Sequence, residues 1–151
     1  MATYPEWSDQ TEEQLSAAGW YPGRRETRRV SEWRRKLDQP QAFRMSPAAE
    51  SALEEFGGIH VEGHGPGLEC ARGGFDLNPE LAIGEEDRFN GFRDRVGGDL
   101  FPLGEAYNGQ AFLAVDGAGH VYLIGDNIEL VAENIRRALD SILVGRLPKK
   151  V

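Results

Sequence analysis

Three histidines and one cysteine are the residues of this chain whose types could bind a metal or serve a nucleophile. His60, His64 and Cys70 fall in one stretch, and His120 lies far downstream. If His60 and His64 share a strand, a rise of about 3.3 Å per residue sets them about 13 Å apart. Zinc–nitrogen bonds of about 2 Å do not bridge that gap. The glycines after His64 disfavour a helix that would turn both rings to one side, so only a tight loop could gather them. Cys70 with a histidine would make a nucleophile pair. No glycine elbow surrounds it, and a free cysteine behaves as a small buried hydrophobe. Neither a metal nor another cofactor is expected.

The acidic groups Glu54/Glu55, Glu85/Glu86/Asp87 and Asp94/Asp99 could supply general acid–base carboxylates. They stand among polar or helical surface residues, where nothing raises a carboxyl pKa by burial, and a solvated face is the plainer reading. Gly63-x-Gly65-x-Gly67 is glycine-rich but opens onto no helix and lacks the lysine of a phosphate loop. Arginines 24, 25, 28, 29, 34 and 35 with Lys36 resemble a nucleic-acid arm. Glu26, Glu32 and Asp38 interrupt them, which favours ion pairing or a solvated helix face. No catalytic residue emerges, and the chain reads as a binder rather than an enzyme.

The elements that would carry these residues centre on Leu103 to Gly145. Leu103–Tyr107 and Ala111–Val115 flank Asn108-Gly109, the strongest short-range hairpin signal, in which both residues tolerate the positive φ of a type I′ turn. Asp116–Gly119 turns the chain again into His120–Ile124. Both Ala111–Val115 and Val121–Ile124 are continuously apolar, as central or doubly covered strands are. Ile135, Ala138, Leu139 and Ile142 recur at helical spacing, with Gly145 and Pro148 as stops. Ile128 and Val131 fit either a third strand or an earlier start of that helix at Asp126, with Glu129 completing a capping box.

Upstream, Thr11-Glu-Glu-Gln14 reads as a capping box, with Gly19 ending the helix. Pro22-Gly23 suits a type II turn beside Trp20 and Tyr21, two rings expected to bury. Thr27–Leu37 is a helix with Val30, Trp33 and Leu37 on one side. Ser46-Pro47 is an N-cap followed by an N1 proline, and Gly57-Gly58 ends the helix that carries Ala49, Ala52, Leu53 and Phe56. Ile59–Gly63 and Leu68–Phe75 are strand expectations. Glu85–Val96 reads as one surface helix with Phe89, Phe92 and Val96 inward. The order predicts a single α+β domain with a largely antiparallel twisted sheet, ending in a β-meander and flanked by helices.

With 151 residues and a single cysteine, an internal disulfide is excluded and a reducing compartment is expected. No apolar run reaches the ~20 residues of a membrane span, and Met1–Glu6 does not resemble a signal peptide. A soluble, cytoplasmic protein is expected. The net charge of −8 is uneven: residues 45–135 hold 4 basic and 17 acidic side chains, whereas residues 136–151 hold 5 basic and 1 acidic. Such a centre repels nucleic acid and would attract a basic partner, although ordinary surface solvation produces the same excess.

Several segments then fall in a familiar order: Ala18-Gly-Trp-Tyr-Pro-Gly-Arg24, Phe56-Gly-Gly58, Leu100-Phe-Pro-Leu-Gly-Glu105, Val115-Asp-Gly-Ala-Gly-His-Val-Tyr122 and Ala138-Leu-Asp-Ser-Ile-Leu-Val-Gly145. Over about residues 12–146 the chain resembles the SUKH superfamily, closest to its third subgroup of bacterial immunity proteins. The resemblance implies an α+β fold and a short strand at Ile128–Val131. It also implies an antidote that binds a polymorphic toxin, often a nuclease or nucleic-acid deaminase, in the producer's kin, with no catalysis of its own. The partner would be a basic toxin domain, with neither nucleic acid nor membrane engaged. Glu85, Glu86, Asp87, Asp94, Asp99, Glu105, Asp116 and Asp126 are the candidate toxin contacts. Trp20, Pro22, Gly23, Arg24, Phe56, Gly57, Gly58, Pro102, Gly104 and Gly119 read as fold-determining. The rival expectation is a regulatory domain that binds a small ligand or peptide on the same scaffold, with an apolar pocket lined by Trp20, Trp33 or Phe101.

Overall fold

Local chemistry sets the helices. In the computed structural model, which describes residues 6–40 and 42–151, Ser46 accepts the amide of Ala49 and Pro47 opens a helix at Pro47–Phe56 (α3). Residues 1–5, part of the segment read above as lacking a signal peptide, lie outside the described residues. Thr27–Leu37 (α2) buries Val30, Trp33 and Leu37 at their expected spacing. The first helix, Asp9–Ala17 (α1), differs from expectation. Its N-cap is Ser8, whose hydroxyl accepts the Thr11 amide. Thr11 is buried instead, and its hydroxyl donates to Asp140 at 2.7 Å. That contact ties α1 to the closing helix, Ile135–Val144 (α6), which is capped by Asn134 accepting the Arg137 amide.

Among the described residues, seven strands pair antiparallel in sequence order: His60–Val61 (β1), Phe75–Asp76 (β2), Phe101–Ala106 (β3), Ala111–Val115 (β4), Val121–Ile124 (β5), Ile128–Ala132 (β6) and Lys149–Lys150 (β7). This is the α+β, largely antiparallel architecture that the sequence predicts. The β3–β4 turn has φ 56° at Asn108 and 80° at Gly109, and the Gln110 amide donates to Tyr107 carbonyl at 3.2 Å, as a type I′ turn requires. Every residue of β5 is buried, in keeping with its continuous apolarity. Ile128–Ala132 is a strand rather than a helix extension, because it pairs with β5 on one side and β7 on the other. β7 was not expected; two lysines carry no strand signal and pair only because the turn after α6 returns them to the sheet.

Three further expectations are corrected. Of Leu68–Phe75, only Phe75 lies in a strand. The segment's backbone donors go to the end of α6: Leu68 to Val144 carbonyl at 2.9 Å, Glu69 to Gly145 at 2.7 Å and Gly73 to Ile142 at 3.0 Å. Glu85–Val96 is two short helices, Glu86–Asn90 (α4) and Arg93–Val96 (α5), interrupted at Gly91-Phe92; Phe89 is fully buried, whereas Phe92 and Val96 only lean on the core. Of the two rings beside Pro22-Gly23, Trp20 is buried and Tyr21 stands out into solvent. The turn itself forms, with Arg24 donating to Tyr21 carbonyl and Gly23 at φ 83°.

The same motif contributes to a clamp that joins the segments flanking α1 to α3 and α6. Arg24 is 7% exposed, and its guanidinium donates to the carbonyls of Glu55 at 2.6 Å and Gly57 at 2.8 Å. These are carbonyls at the end of α3 with no helical partner, so Arg24 acts as its C-terminal cap. Trp7 packs edge to face against Trp20 at 5.0 Å and Phe56 at 5.9 Å. Arg136 from α6 lies over Trp7 at 4.6 Å and pairs with Glu55. Gly104 sits at a β-bulge in β3 with φ 150°, where an added Cβ would meet Asp76 carbonyl at 2.0 Å. Pro102 pairs with Ala114 just before this bulge, and Gly119, at φ 95°, closes the β4–β5 turn.

Candidate partner-binding surface

The acidic residues divide into those neutralised by arginine and those left open. On the α4–α5 segment, Glu85 pairs with Arg88 at 2.9 Å and Asp99 with Arg93 at 2.8 Å. Arg88 also donates to Gly125 carbonyl, so it is held in place. Glu86 accepts the Gly84 amide, and Asp87 and Asp94 lie beside these arginines. The five candidate contacts of this segment, Glu85, Glu86, Asp87, Asp94 and Asp99, therefore lie on a surface of mixed charge. Outside that segment, Glu54, Glu50 and Glu80 pair with Arg25, Arg34 and Lys36. The Lys36 ammonium hydrogen-bonded to Glu80 is the main reason its carboxyl is held below the usual range, against a smaller opposing effect of burial.

Asp116 does not offer a free charge to a partner. It is 7% exposed, and its carboxylate accepts the amides of Ala118 and His120 at 2.9 Å, contacts His120 Nδ1 at 3.0 Å and accepts the Tyr122 hydroxyl at 3.1 Å. It organises the β4–β5 turn, a role its Asp-Gly-x-Gly context encodes. Tyr122 is pushed up to about 12, first by burial and then by the Asp116 charge and hydrogen bond. The His120–Asp116 pair has the orientation of a general base, but the described contacts put no serine, threonine or cysteine on the ring.

The open carboxylates gather elsewhere. Strand register sets His60 opposite Asp76 and Asp76 opposite Glu105, so the three side chains share one face of β1, β2 and β3. Glu62, two residues beyond His60, joins them. His60 Nε2 lies 3.8 Å from Glu62 and its Nδ1 3.7 Å from Asp76, and Glu62 is 85% exposed. No lysine or arginine pairs with Glu62, Asp76 or Glu105 among the described residues. A shallow depression of about 150 Å³ lies between them, closed on one side by Asn108 and Gly109 of the β3–β4 turn. Of the candidate contacts named from sequence, only Glu105 belongs to this group. Glu62 and Asp76 were missed, although the alternation of Ile59-His-Val-Glu already puts His60 and Glu62 on one side.

Across the same turn lies a larger groove of about 830 Å³. Its floor includes Tyr107, Ala111, Leu123 and Ile128, and its walls carry Arg95, Asp126, Glu129 and Lys150. Cys70, free and half-buried, borders it. Of the rings proposed from sequence as a pocket lining, Trp20 and Phe101 are core residues, whereas Trp33, also buried, borders a polar depression of about 290 Å³ with Arg29, Glu32 and Glu80 rather than an apolar pocket. His64 and Cys70 sit in the loop that follows β1, and no group of three or more His, Cys, Asp or Glu among the described residues is arranged to hold a metal ion. No helix among the described residues is long and apolar enough to cross a membrane.

An open antiparallel sheet flanked by helices defines the described residues as a single α+β domain. The chain belongs to the SUKH-3 immunity protein family, whose model matches residues 7–145. Membership implies a protein partner, a cognate toxin. No curated protein and no solved structure matches the chain.

Proposed function

We propose that this protein neutralises a cognate polymorphic toxin in the cytoplasm by binding it through its acidic surface, with no catalysis of its own. The toxin is a nuclease or a nucleic-acid deaminase, whose cleft is basic because it holds phosphates. The observation that carries the reading is the row Glu62, Asp76 and Glu105, which no lysine or arginine neutralises among the described residues. Open carboxylates on one sheet face are the complement of such a cleft, and they raise association rates more than they slow dissociation. Glu86, Asp87, Asp94 and Asp126 extend the negative field. Glu85 and Asp99 contribute less because their arginines accompany them, and Asp116 contributes through the turn it builds. Nucleic acid and membranes are not partners of such a surface.

The test is co-expression with the toxin encoded by the neighbouring gene, followed by binding of the purified pair. The wild type is expected to restore growth and form a complex. The triple variant Glu62→Gln, Asp76→Asn, Glu105→Gln is expected to associate at least tenfold more slowly at low salt, with a flatter salt dependence. Absence of both complex and rescue with the wild type refutes the function. Unchanged association of the triple variant refutes the surface.

A further inference from the structure

The edge of the sheet at β6 is covered by very little. Lys149 and Lys150 of β7 pair with Leu130 and Glu129 of β6, and both lysines are exposed. Leu147 and Val151 beside them are exposed as well. Outside the ladder, the Leu147 amide donates to the Glu69 carboxylate at 2.9 Å, itself at the surface. A two-residue strand that buries no side chain opens at small cost, because water replaces most of what its backbone gives up. β6 is longer than its cover: Ile128, Val131 and Ala132 have no strand opposite them on that side.

The edge is acidic and its present cover is basic. Asp126, Glu129 and Glu133 lie on β6 or just beyond its ends, and none of them forms an ion pair among the described residues. Register sets Lys150 opposite Glu129, and unlike charges directly opposed favour a cross-strand pair. The edge also lies within reach of the acidic row. One line of cross-strand partners runs from Asp76 through Glu105, Phe112 and Ile124 to Ile128, the residue before Glu129. At about 4.8 Å per strand, Ile128 stands about 14 Å from Glu105. An interface that buries about 800 Å² per partner spans both. Between them lies α4, with Phe89 against Phe112 and Arg88 donating to Gly125 carbonyl beside Asp126.

We propose that the outer edge of β6 is a strand-addition site for a basic extended segment of the toxin, and that β7 is the chain's own stand-in for that segment. The incoming strand displaces Lys149 and Lys150, pairs along Ile128–Ala132 and sets a lysine or arginine opposite Glu129. Main-chain hydrogen bonds supply affinity, and Asp126, Glu129 and Glu133 select basic side chains. A neutral or acidic segment would forfeit the charge pairing that β7 already makes, so it would not win the exchange. This inference rests on the proposed antidote function and specifies how the toxin is held.

The test uses the full chain and a catalytically inactive form of the toxin from the neighbouring gene. In amide exchange of the complex, residues 146–151 are expected to lose protection while β6 gains it. The double variant Leu130→Cys, Lys149→Cys, in a Cys70→Ser background, replaces two residues that face each other across the strands, so oxidation locks β7 in place. The oxidised form is expected to bind at least tenfold more weakly than its own reduced form. Glu129→Lys is expected to weaken binding at least tenfold, and more than Asp9→Lys, an equal charge change on α1. The exchange measurement on the wild type needs no substitution, so it decides the matter if the disulfide does not form. A complex in which residues 146–151 keep their protection and the oxidised form binds as the reduced one does overturns the inference while the antidote function stands. A wild type that forms no complex overturns both. A wild-type dimer that oxidation of the double variant abolishes makes the occupant a second copy and also overturns it.

Discussion

Replacing Arg24 by methionine removes the cap of α3 and leaves most of the packing volume in place. The guanidinium donates to two carbonyls, Glu55 at 2.6 Å and Gly57 at 2.8 Å, and to the Glu26 carboxylate at 3.0 Å. Glu26 is a third exposed and water replaces that contact readily. The two carbonyls are the costly losses, since a hydrogen bond from a charged donor is worth about 1.5–3 kcal/mol. The expected destabilisation is about 3–5 kcal/mol, the range seen when one member of a buried charged network is removed. With a urea slope near about 2 kcal/mol/M, the unfolding midpoint falls by about 2 M at unchanged slope. Lysine at this position reaches one carbonyl only and is expected to recover part of the loss. The control is Arg25→Ala, whose guanidinium is 72% exposed and pairs with Glu54 at 3.2 Å; it is expected to cost under about 1 kcal/mol. An Arg24→Met variant whose midpoint matches that of Arg25→Ala would refute the capping argument.

Gly104→Ala forces a Cβ against Asp76 carbonyl at a backbone angle only glycine adopts easily. A loss of at least about 2–3 kcal/mol is expected in chemical unfolding, with faster amide exchange at Phe75 and Asp76. Asp116→Ala strips four hydrogen bonds from the β4–β5 turn and leaves the buried Tyr122 hydroxyl without its acceptor. It is expected to cost about 2–4 kcal/mol by thermal melting, and the Tyr122 titration should move down from about 12 while burial keeps it above the ordinary tyrosine value. Tyr107 and Tyr122 are both raised to about 12 in the folded chain, chiefly by burial. An unfolded tyrosine titrates near about 10, so the unfolded state releases its protons first as pH rises. Stability is therefore full below pH 10 and declines between pH 10 and 12, by up to about 1.4 kcal/mol per unit for each ring. Urea midpoints that stay constant across that window would contradict it.

Short-range chemistry made much of this architecture legible from the chain itself. Ser46-Pro47 caps α3, Asn108-Gly109 closes a type I′ turn, and the spacing of Val30, Trp33 and Leu37 fixes the buried side of α2, because each signal acts within a few residues. The motif order that identifies the family is likewise a property of the sequence. What only tertiary structure decided lies between distant segments. Arg136 finds Glu55, Arg24 caps a helix that begins more than twenty residues later, and the arginines of α4 and α5 neutralise part of a stretch that reads as purely acidic. Glycines 67 and 73 draw their loop against α6 instead of into the sheet, because the carbonyls at the helix end needed donors. The same assembly brings Glu62 and Asp76 beside Glu105 and sets Tyr107 over a groove. Charge counted along a chain is a sum, whereas a binding surface depends on which charges remain unpaired once distant strands have met.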